Sequence, residues 1–344
     1  MQPSILLAGA IVTVVTIYAL LGGADYGAGM LEFTASGKTR EAQLSLIDDT
    51  ITPVWETNHI WLIFAIVLLF SGFPKVFAAI MSALFIPIFL CLAGILFRGA
   101  AFVFRAYFTQ SRSMQLLFAR IFSIASLLTP ICLGIVIGAV AQGSVTSIMT
   151  ASNYNGATLQ WLTPFTVVTG LFTASIFAYL AAVYLTQESS NPQLQEAFRN
   201  RALIAGASVG FFAALTFLLS IHGAPDVFHG LTHNWWARYE QIFTAIASIC
   251  AFTALWKRRY RLAQVCVILQ TALIIWGWAL SQYPGMAGPG QMTIQQSAAP
   301  DNILWTILAV AVCGLFLLVP SMIFLFRIFR SSSPKSVSTI SHAL

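Results

Sequence analysis

The sequence predicts an all-α integral membrane protein with nine transmembrane helices, and three observations carry that expectation. Only 8% of the 344 residues are charged, against 58% hydrophobic, and the mean hydropathy is +0.83. A soluble domain carries roughly 25% charged residues, so this chain cannot cover itself with a wetted surface. The apolar residues form long unbroken runs instead of alternating, which disfavours a β-barrel. Basic residues sit in short segments between the runs, the footprint of membrane orientation and not of nucleic-acid binding, despite a net charge of +6.

A span needs about 20 apolar residues. The runs fall at roughly 4–24, 54–71, 76–97, 117–141, 160–185, 202–221, 238–256, 261–281 and 302–326. No Lys or Arg occurs from Met1 to Ala24, unlike the basic start of a signal peptide, so the first run reads as a retained span. The second and third are divided by Ser71-Gly72-Phe73-Pro74-Lys75, a turn signal in an otherwise continuous apolar stretch. Residues 25–53 and 186–201 are longer connections of mixed charge and helix-compatible sequence. Residues 142–159 and 282–301 carry no Lys or Arg. The tail from Ser331 reads as a short disordered end.

Charge checks the count independently. Fifteen of the seventeen Lys and Arg residues lie in segments that follow odd-numbered spans; only Lys75 and Arg238 lie on the other side. The positive-inside rule then predicts a cytoplasmic C-terminus and an external N-terminus. Fusing the second and third spans would scatter this asymmetry. The five cysteines all fall inside apolar runs and form no CxxC pair, so neither a disulfide nor a Cys-ligated metal is expected.

Polar chemistry at membrane depth is concentrated early. The first span ends in Gly22-Gly23-Ala24-Asp25-Tyr26-Gly27-Ala28-Gly29-Met30, where four glycines beside a carboxylate permit close backbone approach or a break that admits water. Asp25 is placed towards the cytoplasmic end of that helix. In Pro53-Val54-Trp55-Glu56-Thr57-Asn58-His59-Ile60-Trp61-Leu62-Ile63, Pro53 suits a first helical position and Glu56 the positive end of the helix dipole. Glu56 and His59 are three apart, as are Trp55 and Asn58, giving two adjacent polar rows. Spacing alone leaves two readings open: a helix cap with an interfacial tryptophan, or a proton or ligand site. Arg98 and Arg105 are seven apart on one helix face. They read either as snorkelling anchors or as partners of Asp25 or Glu56.

The external loop 221–233 holds His222, His229, His233 and Asp226. His229 and His233 have the i, i+4 spacing of a helical metal pair, but Pro225 and Gly230 are expected to interrupt the helix, and no further ligand completes a set. No phosphate-binding glycine loop, GxSxG elbow or HExxH motif occurs, so no self-contained catalytic constellation and no metal site are expected.

Gly23 to Leu31 and Pro53 to Ile63 resemble successive signatures of subunit II of the cytochrome bd-type quinol oxidases. Phe73-Pro74-Lys75-Val76-Phe77-Ala78 and Arg98-Gly99-Ala100-Ala101-Phe102-Val103-Phe104-Arg105 continue the resemblance in order, followed by Trp278-Ala279-Leu280-Ser281-Gln282-Tyr283-Pro284 and Thr293-Ile294-Gln295-Gln296-Ser297-Ala298-Ala299-Pro300. The Glu-Thr-Asn-His form is most similar to the cyanide-insensitive branch, and His59 stands where some members carry Gln. Residues 142–160 and 186–240 match nothing diagnostic.

The resemblance implies two four-helix bundles, 1–145 and 146–285, then a loop and ninth helix, 286–330, and a cytoplasmic tail, 331–344. It implies a multi-pass protein of a bacterial or archaeal cytoplasmic membrane, working in an aerobic respiratory chain. The implied partner is subunit I, which holds haems b558, b595 and d and oxidises quinol while reducing O2 to water; small single-span subunits, lipid and a structural quinone are further implied partners. Asp25 and Glu56, with His59, fall on the family's cytoplasmic proton path, supported by Trp55, Asn58, Arg98 and Arg105. The competing expectation is a proton-coupled secondary transporter, which membrane carboxylates would also serve.

Overall fold

The computed structural model describes residues 2–37, 39–51, 55–107, 111–150, 159–287 and 292–331. The helices in order are α1 Pro3–Leu31, α2 Arg40–Ile51, α3 Trp55–Gly72, α4 Pro74–Ala83, α5 Phe85–Tyr107, α6 Arg112–Gln142 and α7 Ser144–Thr150. They continue with α8 Pro164–Glu188, α9 Pro192–Gly223, α10 Pro225–His233, α11 Trp235–Trp256, α12 Tyr260–Ser281, α13 Ile294–Ser297 and α14 Asp301–Ser331. Among the described residues no strand forms, and seven helices are long and apolar enough to cross a membrane. Residues 58–72 of α3 are apolar enough for an eighth crossing only together with α4, from which α3 is bent by 117°. This is a multi-pass, all-α membrane protein. Its outer faces carry the apolar side chains that lipid requires, such as Phe316, 79% exposed on α14.

Most helices run past the apolar stretches that predict them. α1 continues to Leu31 where the apolar run ends near residue 24, so Asp25 lies well inside the helix and not at its end. The glycines behind it do not break the helix; they let neighbouring helices close on it. A Cβ on Gly27 would sit 1.9 Å from the carbonyl oxygen of Phe177 on α8. Such contact between small residues is how helices associate where no hydrophobic force draws them together. α8 packs on α1 and α6 as well as on α9 and α12, and one apolar core runs through all of these elements.

Two expectations need correction. The single span placed at 76–97 is two helices, α4 and the start of α5, which meet at Leu84. Pro87 lacks the amide hydrogen that would bond to Ala83, and its ring crowds that carbonyl, so the helix is interrupted there. In the segment 221–233 a break does fall at Ala224, between α9 and α10, but Gly230 does not interrupt the helix that carries His229 and His233. Pro225 opens α10 at a position where its missing N–H costs nothing, and Gly230 lies inside α10 because the backbone of Ser281 packs against it, 2.4 Å from where a Cβ would be. His229 and His233 stack at 4.1 Å on this helix.

The segment 293–300 closes one end of the bundle. The Ala299 amide donates to the carbonyl of Gly72, the last residue of α3, at 2.8 Å, and satisfies a carbonyl that the α3–α4 bend frees. Residues 332–344, most of the expected tail, lie outside the described residues.

Gly27→Ala should lower stability by about 1–3 kcal/mol, or block accumulation, because the backbone of α8 must move. Gly210→Ala, with nothing within 4 Å, should not. Thermal unfolding of the two variants in detergent checks this, and equal melting temperatures would contradict it.

Candidate functional site: a buried ladder of ion pairs

Arg98 on α5 is 1% exposed and Asp25 on α1 is 3% exposed. A lone charge so placed would be expensive, and each finds its partner. A terminal guanidinium nitrogen of Arg98 donates to Asp25 Oδ1 at 2.5 Å and to the Asp25 carbonyl at 3.3 Å. Its Nε donates to Ser126 Oγ on α6 at 3.0 Å. Ser126 comes this close because Gly29 has no Cβ: one would lie 2.2 Å from the hydroxyl. The guanidinium carbon lies over the rings of Tyr26 and Phe122, 4.8 Å from each centroid, so the cation meets the negative faces of two π-systems.

A second rung lies seven residues along both helices. Arg105 donates to Glu32 at 2.9 and 3.2 Å and also pairs with Asp48 of α2. Ser123 donates to Glu32 Oε2 at 3.3 Å. Burial pushes the Asp48 carboxyl upward, with Arg105 pulling the other way. The two rungs fix directions: Asp25 to Arg98 and Glu32 to Arg105 are both 73 residues apart, so α1 and α5 run parallel. Ser126 meets the first rung and Ser123 the second, so α6 runs opposite to them. The second rung faces a cleft of about 1040 Å³ bounded by the ends of α1, α2, α5 and α6.

α3 brings two expected residues to the first rung. Asn58 is buried and donates to the Leu21 carbonyl at 3.4 Å. The His59 ring stacks on Tyr26 with centroids 6.4 Å apart, and Tyr18 donates to the Tyr26 hydroxyl at 3.5 Å. Asp25 Oδ2, Asn58 Oδ1 and His59 Nδ1 are buried and have no hydrogen-bond partner among the described residues, which leaves proton-accepting capacity here. Pro53 lies outside the described residues, as do the side chains of Trp55 and Glu56, although the backbone of both is in the first turn of α3. Of the two readings left open for the arginines, pairing with Asp25 is the one Arg98 adopts. Glu32 and Ser123 were not singled out from the sequence. The signal was there: Asp25 and Glu32 repeat at the same seven-residue interval as Arg98 and Arg105. The three loop histidines sit apart, and among the described residues no three His, Cys, Asp or Glu side chains converge as a metal site would need.

Residues 3–329 match the family described as cytochrome bd terminal oxidase subunit II. The chain belongs to that family. It is similar to the cytochrome bd-I ubiquinol oxidase subunit 2 of Escherichia coli K12, at 29% identity over 170 residues. That match covers 49% of this chain and 44% of the relative, so it spans less than half of the relative's length. It is also similar to the cytochrome bd ubiquinol oxidase subunit 2 of Bacillus subtilis 168, 29% identical over 123 residues, 36% of each chain. In fold it matches a chain of the bd oxidase from Geobacillus thermodenitrificans with a TM-score of 0.78, covering 97% of this chain and 100% of that one at 19% identity. The chain thus carries two arginines held by carboxylates, Arg98 by Asp25 with the Ser126 hydroxyl, and Arg105 by Glu32 and Asp48.

Removing one member of a buried pair strands the other, so Arg98→Met should cost about 3–5 kcal/mol, and the Asp25→Leu/Arg98→Met double variant should cost less than that single change. A double-mutant cycle read by thermal unfolding checks the sign. Strictly additive losses would show that the pair is not coupled.

Proposed function

We propose that this chain is the haem-free subunit II of a quinol:oxygen oxidoreductase, a terminal oxidase that couples quinol oxidation to reduction of O2 to water. It scaffolds the haem-bearing subunit I and conducts protons from the cytoplasm. In this reading nine spans form two four-helix bundles, 1–145 and 146–285, plus one further helix, with the N-terminus outside and the C-terminus in the cytoplasm. The membrane is a bacterial or archaeal cytoplasmic membrane. Because protons for water come from inside and quinol protons leave outside, turnover builds a proton-motive force without pumping.

Haems b558, b595 and d are assigned to subunit I. Among the described residues the His59 imidazole stacks on the Tyr26 ring and the large cleft is lined by no His, Cys or Met, so neither place fits a haem. A structurally bound quinone and small single-span subunits complete the assembly in this reading.

The observation that supports the proton path is the buried Asp25, with one carboxylate oxygen engaged by Arg98 and the other unpartnered among the described residues. Arg98 holds the carboxylate in place, since a guanidinium is not itself deprotonated in proteins. Asp25 Oδ2 and His59 Nδ1 are the atoms that hold and release the proton. Glu56 opens α3 beside them in sequence and, by motif position, receives the proton. Asn58, Arg98, Arg105 and Trp55 position these groups.

Asp25→Asn and Glu56→Gln should each slow quinol-driven O2 consumption of the assembled complex by roughly 10²-fold, the usual worth of a positioned proton-transfer group. Haem content and subunit stoichiometry should not change in Glu56→Gln, whereas Asp25→Asn leaves Arg98 without its counter-charge and is read per assembled, haem-loaded complex. Full turnover in both variants with normal assembly would remove the proton path and leave the scaffold alone.

A further inference from the structure

We propose that the cleft bounded by α1, α2, α5 and α6 binds the headgroup of an anionic phospholipid. Its position comes first. It opens where α1 and α5 end and α6 begins, the level at which a bilayer presents its phosphates. It lies on the side of the spans where the basic residues gather.

Charge is the second observation. Four arginines line the cleft, Arg40, Arg105, Arg112 and Arg120, against two carboxylates, Glu32 and Asp48. Arg105 is committed to both carboxylates. Among the described residues the exposed side chains of Arg40, Arg112 and Arg120 pair with no carboxylate. Three unpaired guanidiniums converging on one cavity repel one another unless an anion joins them, and the planar guanidinium fork matches phosphate oxygens in pairs.

The wall chemistry decides what kind of anion. Phe33, Leu44, Val103 and Leu116 share the lining with the arginines, so the cleft is amphipathic. Its volume of about 1040 Å³ is at the upper end for a small-ligand site, roughly 300–1,000 Å³. A small soluble anion would leave the apolar wall wet, whereas a phospholipid sets its phosphate on the arginines and the start of its acyl chains on that wall. Basic pockets between spans on the cytoplasmic side are the usual shape of anionic-lipid sites. Arg40, Arg112 and Arg120 have no part in the proton path, although the cleft shares the Arg105 rung with it.

The test takes the purified complex in non-ionic detergent, strips its lipid, and titrates it with phosphatidylglycerol, counting retained lipid by native mass spectrometry. Saturable binding is expected, with phosphatidylcholine at least about ten-fold weaker, given a contribution from each unpaired arginine. Arg40→Gln, Arg112→Gln and Arg120→Gln should each weaken phosphatidylglycerol by about five-fold, and the triple variant should lose the site. Arg238→Gln, an exposed arginine elsewhere, should change nothing. The single variants are surface changes and keep the test open if the triple variant fails to assemble. Three results overturn the proposal: no saturable binding by the wild type, equal retention of phosphatidylcholine, or wild-type retention in the arginine variants. Displacement of the lipid by inorganic phosphate at a similar concentration would also overturn it, because the site would then serve a small soluble anion.

Discussion

A guanidinium and a carboxylate cannot sit in the middle of an apolar bundle unless nearly every lone pair and N–H around them is answered. The cost of taking each ion out of water is several kcal/mol even after relaxation. At Arg98 that demand is met from four directions: the Asp25 carboxylate and carbonyl, the Ser126 hydroxyl, and the faces of Tyr26 and Phe122. Those groups come from α1 and α6, and Arg98 comes from α5. Once the charge is there, the mutual heights and rotations of the three helices follow. Gly29 illustrates how far the dependence reaches, since a methyl group there would occupy the space that the Ser126 hydroxyl needs to reach Arg98.

The repeat of that arrangement one heptad away has a structural consequence. Two parallel helices carrying acid and base at matched seven-residue intervals must make both pairs or neither, because a shift in height breaks the two together. Buried ion pairs add little net stability compared with apolar packing of the same volume. What they supply here is register. Packing between small residues, as where Gly27 meets the α8 backbone, sets how near the helices lie but tolerates sliding along the axis. The ladder removes that freedom.

Hydropathy made the bundle legible, because lipid leaves few other ways to satisfy a backbone. It made the helix lengths less legible. Apolar runs stop where the bilayer stops being dry, whereas helices stop where hydrogen bonding stops, so α1, α5, α6 and α9 all extend beyond their runs. That is why Asp25 and Arg98, read as residues near helix ends, are interior residues with interior energetics. The interruption before α5 was written in Pro87 but masked by apolar residues on both sides. Gly230 was read as a breaker when it marks a close approach by α12, a fact held in Ser281 and invisible locally. Glu32 escaped notice because single residues were weighed by position. The matching interval on two distant helices was the informative quantity.

Geometry also limits how a proton could travel between the rungs. Asp25 and Glu32, which directly follows the end of α1, are seven residues apart, a rise of about 10 Å, too far for a direct transfer between carboxylates. Ser123 and Ser126 on α6 lie alongside the gap with a rise of about 4.5 Å between them, and each already hydrogen-bonds to a rung. Between the rungs the arginines are fixed counter-charges, which leaves the Ser123 and Ser126 hydroxyls, with intervening water, as the carriers that any transfer there would need. Such a division suits the haem-free role proposed for this subunit. Fixed positive charge keeps the carboxylates in place as protons come and go along the proposed path, and in that proposal the driving force comes from electrons that arrive in the partner.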